Sequence, residues 1–591
     1  MKTKLTSGLE TLYPSKASLV MPLLHLLQKR DGYISESGII EISNATGLSL
    51  AFIRGVYTFY SFYNSRPPAR YLIQICRNVA CMAMGADILI EHLVKNHGFK
   101  EIEHGIFSYG PEPSAINLMI TECIGACGIG PAMLVNDTLI GRLNREKIDG
   151  ILKDLLQARS PEPEDHLIDA FPMKLESYLL RTLDCTTLDS YKAKGGYEAF
   201  KKALGMKPEQ VIDIIKGSGL RGRGGAGFPT GMKWAFARQD PKTPKYLIIN
   251  ADEGEPGTYK DRILLSRNPH QIIEGMLIGS YAIGASLGWV YLRYEYPEVI
   301  PVLEGAIKEV RQEGLLGKNI LGSDFSFDIV VHRGAGAYIC GEETALIESI
   351  EGSRGQPRIR PPFPVNSGYN GKPTVINNVE TIANIPVILN LGPENYSKIG
   401  SRDAPGPKLF SISGVKKPGV YELPSGITLK EILEIAGGPV SGTIKAIIPG
   451  GLSTPVLTKE MLDCPMDFTG PQRYKSMLGT GGLMVFGEDI CMVRLAMRAM
   501  SFYRHESCGK CTPCREGTGW LENILKRIEE GRASEEDISL LKKVSNNISG
   551  KTFCALGDAA ACVIGGILRN FEEEFKDHIR QGGCPLKGVK G

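Results

Sequence analysis

The spacing of apolar residues changes several times along the chain, and each change marks an element. Leu19, Met21, Leu23, Leu24, Leu26 and Leu27 form a helical stripe that Asp31-Gly32 should end, and a second helical pattern runs over 39–48. Pro67-Pro68 marks a boundary. From Tyr71 to about Leu156 the order becomes strand–helix–strand: a strand at 71–75, a helix over 87–95 and a strand at 117–120. Strands at 132–135 and 138–140 then make a hairpin turning at Asn136-Asp137. Pro161-Glu-Pro-Glu-Asp165 reads as a polar linker that few contacts should cross, so the part before it is expected to be separable. A glycine-rich α/β region spans about 180–400, a short β-rich stretch 409–457, and a helical region lies beyond about 485.

Residues 275–292 carry no charge, which is barely long enough for a membrane span. The better reading is a buried helix stopped at Gly288, followed by an aromatic, β-branched strand over 289–294. The basic start Met1-Lys-Thr-Lys is followed by no uninterrupted apolar run, so no signal peptide is expected. These readings predict a cytoplasmic protein without membrane insertion.

Composition narrows the class. Lys+Arg total 68 against 65 Asp+Glu, with 23% charged and 42% hydrophobic residues. This excludes a disordered chain and gives no global attraction to nucleic acid or an anionic membrane. The 69 glycines among 591 residues exceed the usual ~7% and place close backbone approaches in loops. The 14 cysteines are too few for a disulfide scaffold, and most fall in two spaced groups, as in an intracellular metal-binding protein.

Cys76 and Cys81 form C-x4-C after one predicted strand, and Cys123 and Cys127 form C-x3-C after another. Four thiolates suit soft metals. Wide x3 and x4 loops favour a two-iron cluster over zinc knuckles, and the lack of C-x-x-C here disfavours a redox disulfide. Cys508, Cys511 and Cys514 form C-x2-C-x2-C, three corners of a four-iron cubane, and Cys554 is the natural fourth ligand. Its rival, Cys562, lies on an apolar run and reads as a core residue.

The loop from Gly219 to Gly231 contains G-x-G-x-x-G at Gly222, Gly224 and Gly227. An ordinary Rossmann turn should follow a strand, whereas 211–215 has helical spacing, so that reading is rejected. What remains is an anion nest of glycine N–H groups with Arg221, Arg223 and Lys233 beside it. After a strand at 246–249 comes Asn250-Ala-Asp252-Glu253-Gly-Glu255, whose carboxylates would repel phosphate but accept hydrogen bonds from flavin N–H or ribose hydroxyls. A further glycine loop, 334–344, follows a strand at 328–332, and its lone Cys340 reads as a core thiol.

Together these segments resemble the NADH-oxidising flavoprotein subunit of respiratory complex I. The resemblance is carried by 219–234, 250–262, 334–348, Arg360-Pro-Pro-Phe363-Pro, Asn377-Asn378-Val-Glu-Thr381 and the cysteines ending at Cys554, and spans about 175–575. Residues 1–160 are similar to the companion subunit with a thioredoxin-like two-iron domain. The fusion is similar to the diaphorase flavoprotein of NAD-reducing hydrogenases and of NAD-dependent formate dehydrogenases. The resemblance implies a multidomain α/β architecture: an N-terminal helical segment (1–66), a thioredoxin-like [2Fe-2S] domain (67–160) and an FMN/NADH-binding domain (175–400). A ubiquitin-like β-grasp insert (401–470) and a helical [4Fe-4S] bundle (480–580) complete it.

It further implies FMN against Gly222, Arg223, Gly224, Lys233, Asn250, Asp252, Glu253, Tyr338, Gly341, Glu342, Asn377, Asn378 and Thr381. NAD(H) would stack near Phe228, Phe236 and Phe363 and meet Glu255, Glu343 and Arg360, with Glu255 at the adenosine ribose. No protein acid or base is expected to be catalytic, because the flavin carries the hydride chemistry while Glu253 and Glu343 position cofactors. Electrons would pass through the clusters to or from another redox subunit, a ferredoxin-like iron–sulfur protein among the candidates. The alternative, a non-catalytic cluster-bearing scaffold, would need none of the glycine loops.

Overall fold

A computed structural model of the chain describes residues 8–103, 105–110, 115–163 and 167–586. Glu164 and Asp165 of the predicted linker, and the basic N-terminal residues, lie outside these. The chain divides into two compact units, one comprising 1–68, 174–253 and 261–407, the other 69–173, 254–260 and 408–591.

The first unit is built on a parallel four-stranded sheet, in the order Asp328–Arg333, Ala285–Leu292, Lys245–Ala251, Thr374–Asn378. The two central strands are buried along nearly their whole length, as strands inside a parallel sheet are. The Pro269–Ile283 helix is buried along nearly its whole length and packs on Val379–Leu391. A Cβ at Gly275 would lie 2.4 Å from the Ile382 carbonyl oxygen, so the close helix approach depends on glycine there. The uncharged stretch is thus a helix entering a strand, but its stop is Gly284 (φ 78°), not Gly288. Gly288 sits inside the strand, where a Cβ would meet the Phe327 ring at 2.7 Å. Its glycine serves packing rather than helix termination. The nest loop follows the Pro208–Gly217 helix and precedes the Thr230–Gln239 helix, so no strand leads into it.

The N-terminal helices Val20–Asp31, Glu36–Thr46 and Leu50–Tyr57 belong to this unit. Leu23, Leu24 and Leu27 are fully buried. Tyr13 Oη lies 2.9 Å from His332 Nδ1, Tyr60 Oη donates to Ser349 Oγ at 2.8 Å, and the Phe62 amide donates to the Ala335 carbonyl. The expected separability of everything before the linker is therefore corrected. A short helical stretch cannot bury its own leucine stripe; the helices of this one pack on one another, and Tyr13, Tyr60 and Phe62 tie them to the strand-bearing core. The boundary falls at Pro68, where the proline pair marked it.

The second unit holds two sheets and four long helices. The first sheet runs Lys100–Glu103, Ile106–Tyr109, Ile116–Thr121, Tyr71–Cys76, Met133–Val135, Thr138–Ile140, with Tyr71–Cys76 parallel to Ile116–Thr121. Its core (Ile73, Ile75, Leu118) is covered by Ile148, Leu152 and Leu155 of the Arg145–Leu156 helix. The predicted hairpin turns at Asn136 (φ 52°) and Asp137. The second sheet runs Ala446–Ile448, Gly482–Phe486, Pro407–Ser413, Gly419–Pro424, Ala170–Phe171. It recruits one strand from just past the linker and another from beyond residue 470, so it is wider than the 401–470 interval. The helices Met492–Glu506, Thr512–Glu529, Glu535–Ile548 and Ala555–Arg580 pack on one another. Among the described residues no helix is long and apolar enough to cross a membrane.

Candidate cofactor sites

In the first unit the predicted flavin residues gather at the carboxyl ends of the parallel strands, where open α/β sheets bind ligands. Asn250 and Asn377-Asn378 sit at the ends of adjacent strands in register. Asn250 Nδ2 donates to the Gly341 carbonyl (2.8 Å), joining the strand end to the second glycine loop. Asn377 Oδ1 accepts from Trp234 Nε1 (2.9 Å) and Asn378 Nδ2 donates to Asp261 Oδ2 (2.6 Å). These two partners fix which way each amide faces.

The nest loop is tied to this sheet by the Arg223 amide, which donates to Thr381 Oγ1 (2.8 Å). A Cβ on Gly224 would lie 3.1 Å from Asn378 Cβ, so the loop backbone closes over the strand end. The Arg223 side chain is 1% exposed; Nη2 donates to the Pro405 carbonyl at 2.5 Å, while Nε and Nη1 have no hydrogen-bond partner. Buried Thr230 Oγ1 is likewise unpartnered. Buried polar groups are normally hydrogen-bonded, so unpartnered Arg223 and Thr230 atoms on the loop that carries the glycine nest fit an anionic, multiply accepting ligand such as FMN.

Lys233 Nζ reaches Glu343 Oε2 (3.2 Å) and the Ile376 carbonyl (3.1 Å), and Arg360 Nη1 reaches Glu343 Oε1 (3.3 Å). Glu343 is thereby held between two cations. Glu342 caps the Glu343–Ile350 helix, its Oε2 accepting from the Thr344 and Ala345 amides. Glu253 is buried and its oxygens accept from the Asp261 and Arg262 amides and Tyr296 Oη. It braces the acidic loop. A Cβ on Gly341 would contact the Asp252 carbonyl at 3.4 Å, bringing the 250–253 turn and the loop carrying Tyr338 and Gly341 together. Phe228, Phe236 and Phe363 are 46%, 45% and 52% exposed, an unusual state for large aromatic side chains. Phe228 lies two residues before, and Phe236 on, the helix that carries Lys233. Phe363 precedes the Pro364–Ser367 turn that packs on the same helix.

In the second unit the four N-terminal cysteines converge. Cys76 ends its strand, its partner strand ends at Thr121 in register, and Cys123 and Cys127 follow that end. Cys123 Sγ and Cys127 Sγ are 3.5 Å apart, and all four are buried and unbridged. The Cys123 and Cys81 sulfurs and burial push the Cys76 thiol well up, a mark of how closely the sulfurs are packed. Backbone N–H groups of Gly125 and Gly257 point at Cys123 and Cys127 sulfurs (3.4 and 3.3 Å). This pocket of sulfur and backbone donors fits a [2Fe-2S] cluster.

Cys508 precedes the Thr512–Glu529 helix; Cys511 is that helix's N-cap residue, and Cys514 lies in its first turn. Cys554 is the N-cap residue of the Ala555–Arg580 helix. Lys510 Nζ stands 4.3 Å from the centre of the Phe553 ring, bringing the triad loop beside Cys554. Cys562 is about two turns further along the helix, away from its N-terminus. Two helix N-termini directed at the set suit the net negative charge of a cysteine-ligated [4Fe-4S] cluster. The Met492–Glu506 helix, which leads into the triad, packs against Val79–Ala83, which carries Cys81. Glu255 belongs to this unit: its oxygens accept from the Ser453 amide (2.6 Å) and Ser453 Oγ (2.8 Å).

Comparison with known proteins matches each part of the chain to a family. Residues 215–387 match the Nuo51 FMN-binding domain and 8–156 the thioredoxin-like [2Fe-2S] ferredoxin family. Residues 494–578 match the NADH-ubiquinone oxidoreductase-F iron-sulfur binding region, and 412–455 the SLBB domain. The F 2 subunit of the NADH-quinone oxidoreductase of Rhizobium meliloti (strain 1021) is 52% identical over 418 residues, covering 70% of this chain and 99% of the relative. The F subunit of the NADH-quinone oxidoreductase of Aquifex aeolicus (strain VF5) is 51% identical over 398 residues, 67% of this chain and 92% of the relative. A crystal structure of NAD+-reducing [NiFe]-hydrogenase in the H2-reduced state superposes with TM-score 0.84 at 32% identity, over 95% of this chain and 93% of that one.

Proposed function

The chain belongs to the family of NADH-quinone oxidoreductase F subunits, and from that premise we propose which of its residues hold each cofactor. It is an NADH-oxidising flavoprotein with FMN, a [2Fe-2S] and a [4Fe-4S] cluster, working with other redox subunits. The bound flavin supplies the exchange between a two-electron hydride and single electrons, and the clusters supply one-electron relay.

FMN is held by the 222–224 nest, Arg223, Lys233, Asn250, Asp252, Tyr338, Gly341, Glu342, Asn377, Asn378 and Thr381. The observation that carries this is the pair of unpartnered guanidinium atoms, Nε and Nη1, on buried Arg223 of the nest loop. Glu253 acts through the acidic loop whose amides it receives. The exposed faces of Phe228, Phe236 and Phe363 take the flat rings of the dinucleotide, with Glu343 oriented by Lys233 and Arg360 beside them. By its resemblance to the family, Glu255 takes the adenosine ribose. No side chain is assigned an acid–base step.

Cys76, Cys81, Cys123 and Cys127 ligate the two-iron cluster, and Cys508, Cys511, Cys514 and Cys554 the four-iron cluster. The contact between the 492–506 and 79–83 helices supports electron passage between the two clusters through protein. The second sheet corresponds to the β-grasp insert, the last four helices to the cluster-bearing bundle, and the compartment is the cytoplasm. Reduction of the full purified chain with NADH, followed by EPR at two temperatures, tests the assembly. Two distinct cluster signals and stoichiometric FMN are expected; a flavin-free protein with signals deaf to NADH would leave only a scaffold.

A further inference from the structure

Two cysteines that neither cluster uses, Cys491 and Cys584, meet a histidine and a glutamate in the second unit. Cys491 caps the Met492–Glu506 helix, Glu529 ends the Thr512–Glu529 helix, His578 lies in the last turn of Ala555–Arg580, and Cys584 follows that helix. One ligand atom from each falls within 4.8 Å of all the others. Cys491 Sγ to His578 Nε2 is 3.2 Å, Cys491 Sγ to Glu529 Oε2 is 3.7 Å, and His578 Nε2 to Glu529 Oε2 is 3.3 Å. A tetrahedral zinc site with bonds of 2.0–2.3 Å has ligand–ligand edges of about 3.3–3.8 Å. Cys491, His578 and Cys584 are 5%, 0% and 6% exposed, so water does not compete for the centre.

The surroundings turn each ligand atom inward. His578 Nδ1 lies 2.7 Å from the Glu574 carbonyl oxygen one turn back; as donor there it leaves the Nε2 lone pair facing the cluster. Arg494 binds Glu529 Oε1 through Nε and Nη2 (3.0 and 2.9 Å), leaving Oε2 for the centre. The Arg494 amide donates to Cys491 Sγ at 3.3 Å, an interaction that favours the thiolate. An apolar core would gain nothing from collecting two thiols, an imidazole and a carboxylate at one point.

We propose that Cys491, Glu529, His578 and Cys584 form a closed structural Zn2+ site, separate from both iron–sulfur clusters. Two thiolates with one imidazole and one carboxylate select zinc, and four protein ligands leave no open position for catalysis. The ion pins three helix ends and the C-terminal turn. The Met492–Glu506 and Thr512–Glu529 helices reach the four-iron cysteines at their other ends, with lengths of roughly 20–27 Å at 1.5 Å per residue. The site therefore stiffens the frame that carries the cluster without touching it.

Elemental analysis of the full chain, purified without added zinc or chelator, tests this. One zinc per chain is expected beside the iron, with zinc-edge absorption fitting two sulfurs near ~2.3 Å and two N/O ligands near ~2.0 Å. Cys584→Ser, on the C-terminal turn, should lose at least four-fifths of the zinc while keeping iron and FMN, and should melt earlier. His578→Gln should do the same if it folds. Less than one-tenth zinc per chain that added Zn2+ does not raise, a Cys491–Cys584 disulfide in the unreduced protein, or unchanged zinc in Cys584→Ser would each overturn the proposal.

Discussion

Replacing Arg223 with Met tests the flavin site through two quantities that should move independently. The guanidinium is 1% exposed, donates once to Pro405 and leaves Nε and Nη1 without partners. In flavin-free protein it is a buried, incompletely paired charge. Methionine keeps much of the stem volume and removes the desolvation cost, which offsets the donor lost from the Pro405 carbonyl. The flavin-free melting temperature should therefore hold or rise. Flavin binding should suffer, because each charge-assisted hydrogen bond contributes about 1.5–3 kcal/mol. Two such bonds at the low end total about 3 kcal/mol, or about two orders of magnitude in Kd. The assay is FMN per chain as purified, then titration of deflavinated protein by quenching of flavin fluorescence, alongside thermal melts. A variant that melts several degrees earlier yet binds FMN within threefold of the parent would make Arg223 a strut for the 400–407 segment and refute the assignment.

Other outcomes follow from the same structure. Cys554→Ala should abolish the four-iron EPR signal and leave the two-iron signal, whereas Cys562→Ala should leave both; the reverse would exchange the two residues' roles. A chain beginning at Pro161 should be insoluble or flavin-free, because it lacks the Tyr13 and Tyr60 hydrogen bonds and the buried leucines of 20–31; stoichiometric FMN in that fragment would show these contacts to be dispensable. Burial lowers His270 to about 4 and His332 to about 3 from an ordinary 6.5, so the unfolded chain binds more protons between those values. Stability should therefore fall as pH drops below about 6.5 and level off below about 3, each histidine contributing at most about 1.4 kcal/mol per pH unit; urea midpoints independent of pH from 6.5 to 4.5 would contradict this. Glu255→Gln should raise the relative kcat/KM for NADPH about tenfold, since a carboxylate repels the 2′-phosphate; an unchanged NADPH/NADH ratio would remove Glu255 from the ribose.

Short-range patterns were enough to identify the chemistry. The C-x4-C, C-x3-C and C-x2-C-x2-C spacings are local, because the ligands of one cluster edge must sit within a few residues of each other. The helical spacing of 211–215 was also enough to reject a Rossmann turn, and the helix over Pro208–Gly217 agrees. Other features depend on what a residue meets across the fold. Gly284 and Gly288 look alike in sequence; one adopts the left-handed cap, and the other faces Phe327. The leucine stripe of 20–31 announces a helix without naming its partner, and tertiary packing delivered it to the flavin-bearing unit rather than to its sequence neighbour at 69–156. Cys491, Glu529, His578 and Cys584 have no motif spacing at all. They become a set only because three helices end at one point, a property that packing alone decides.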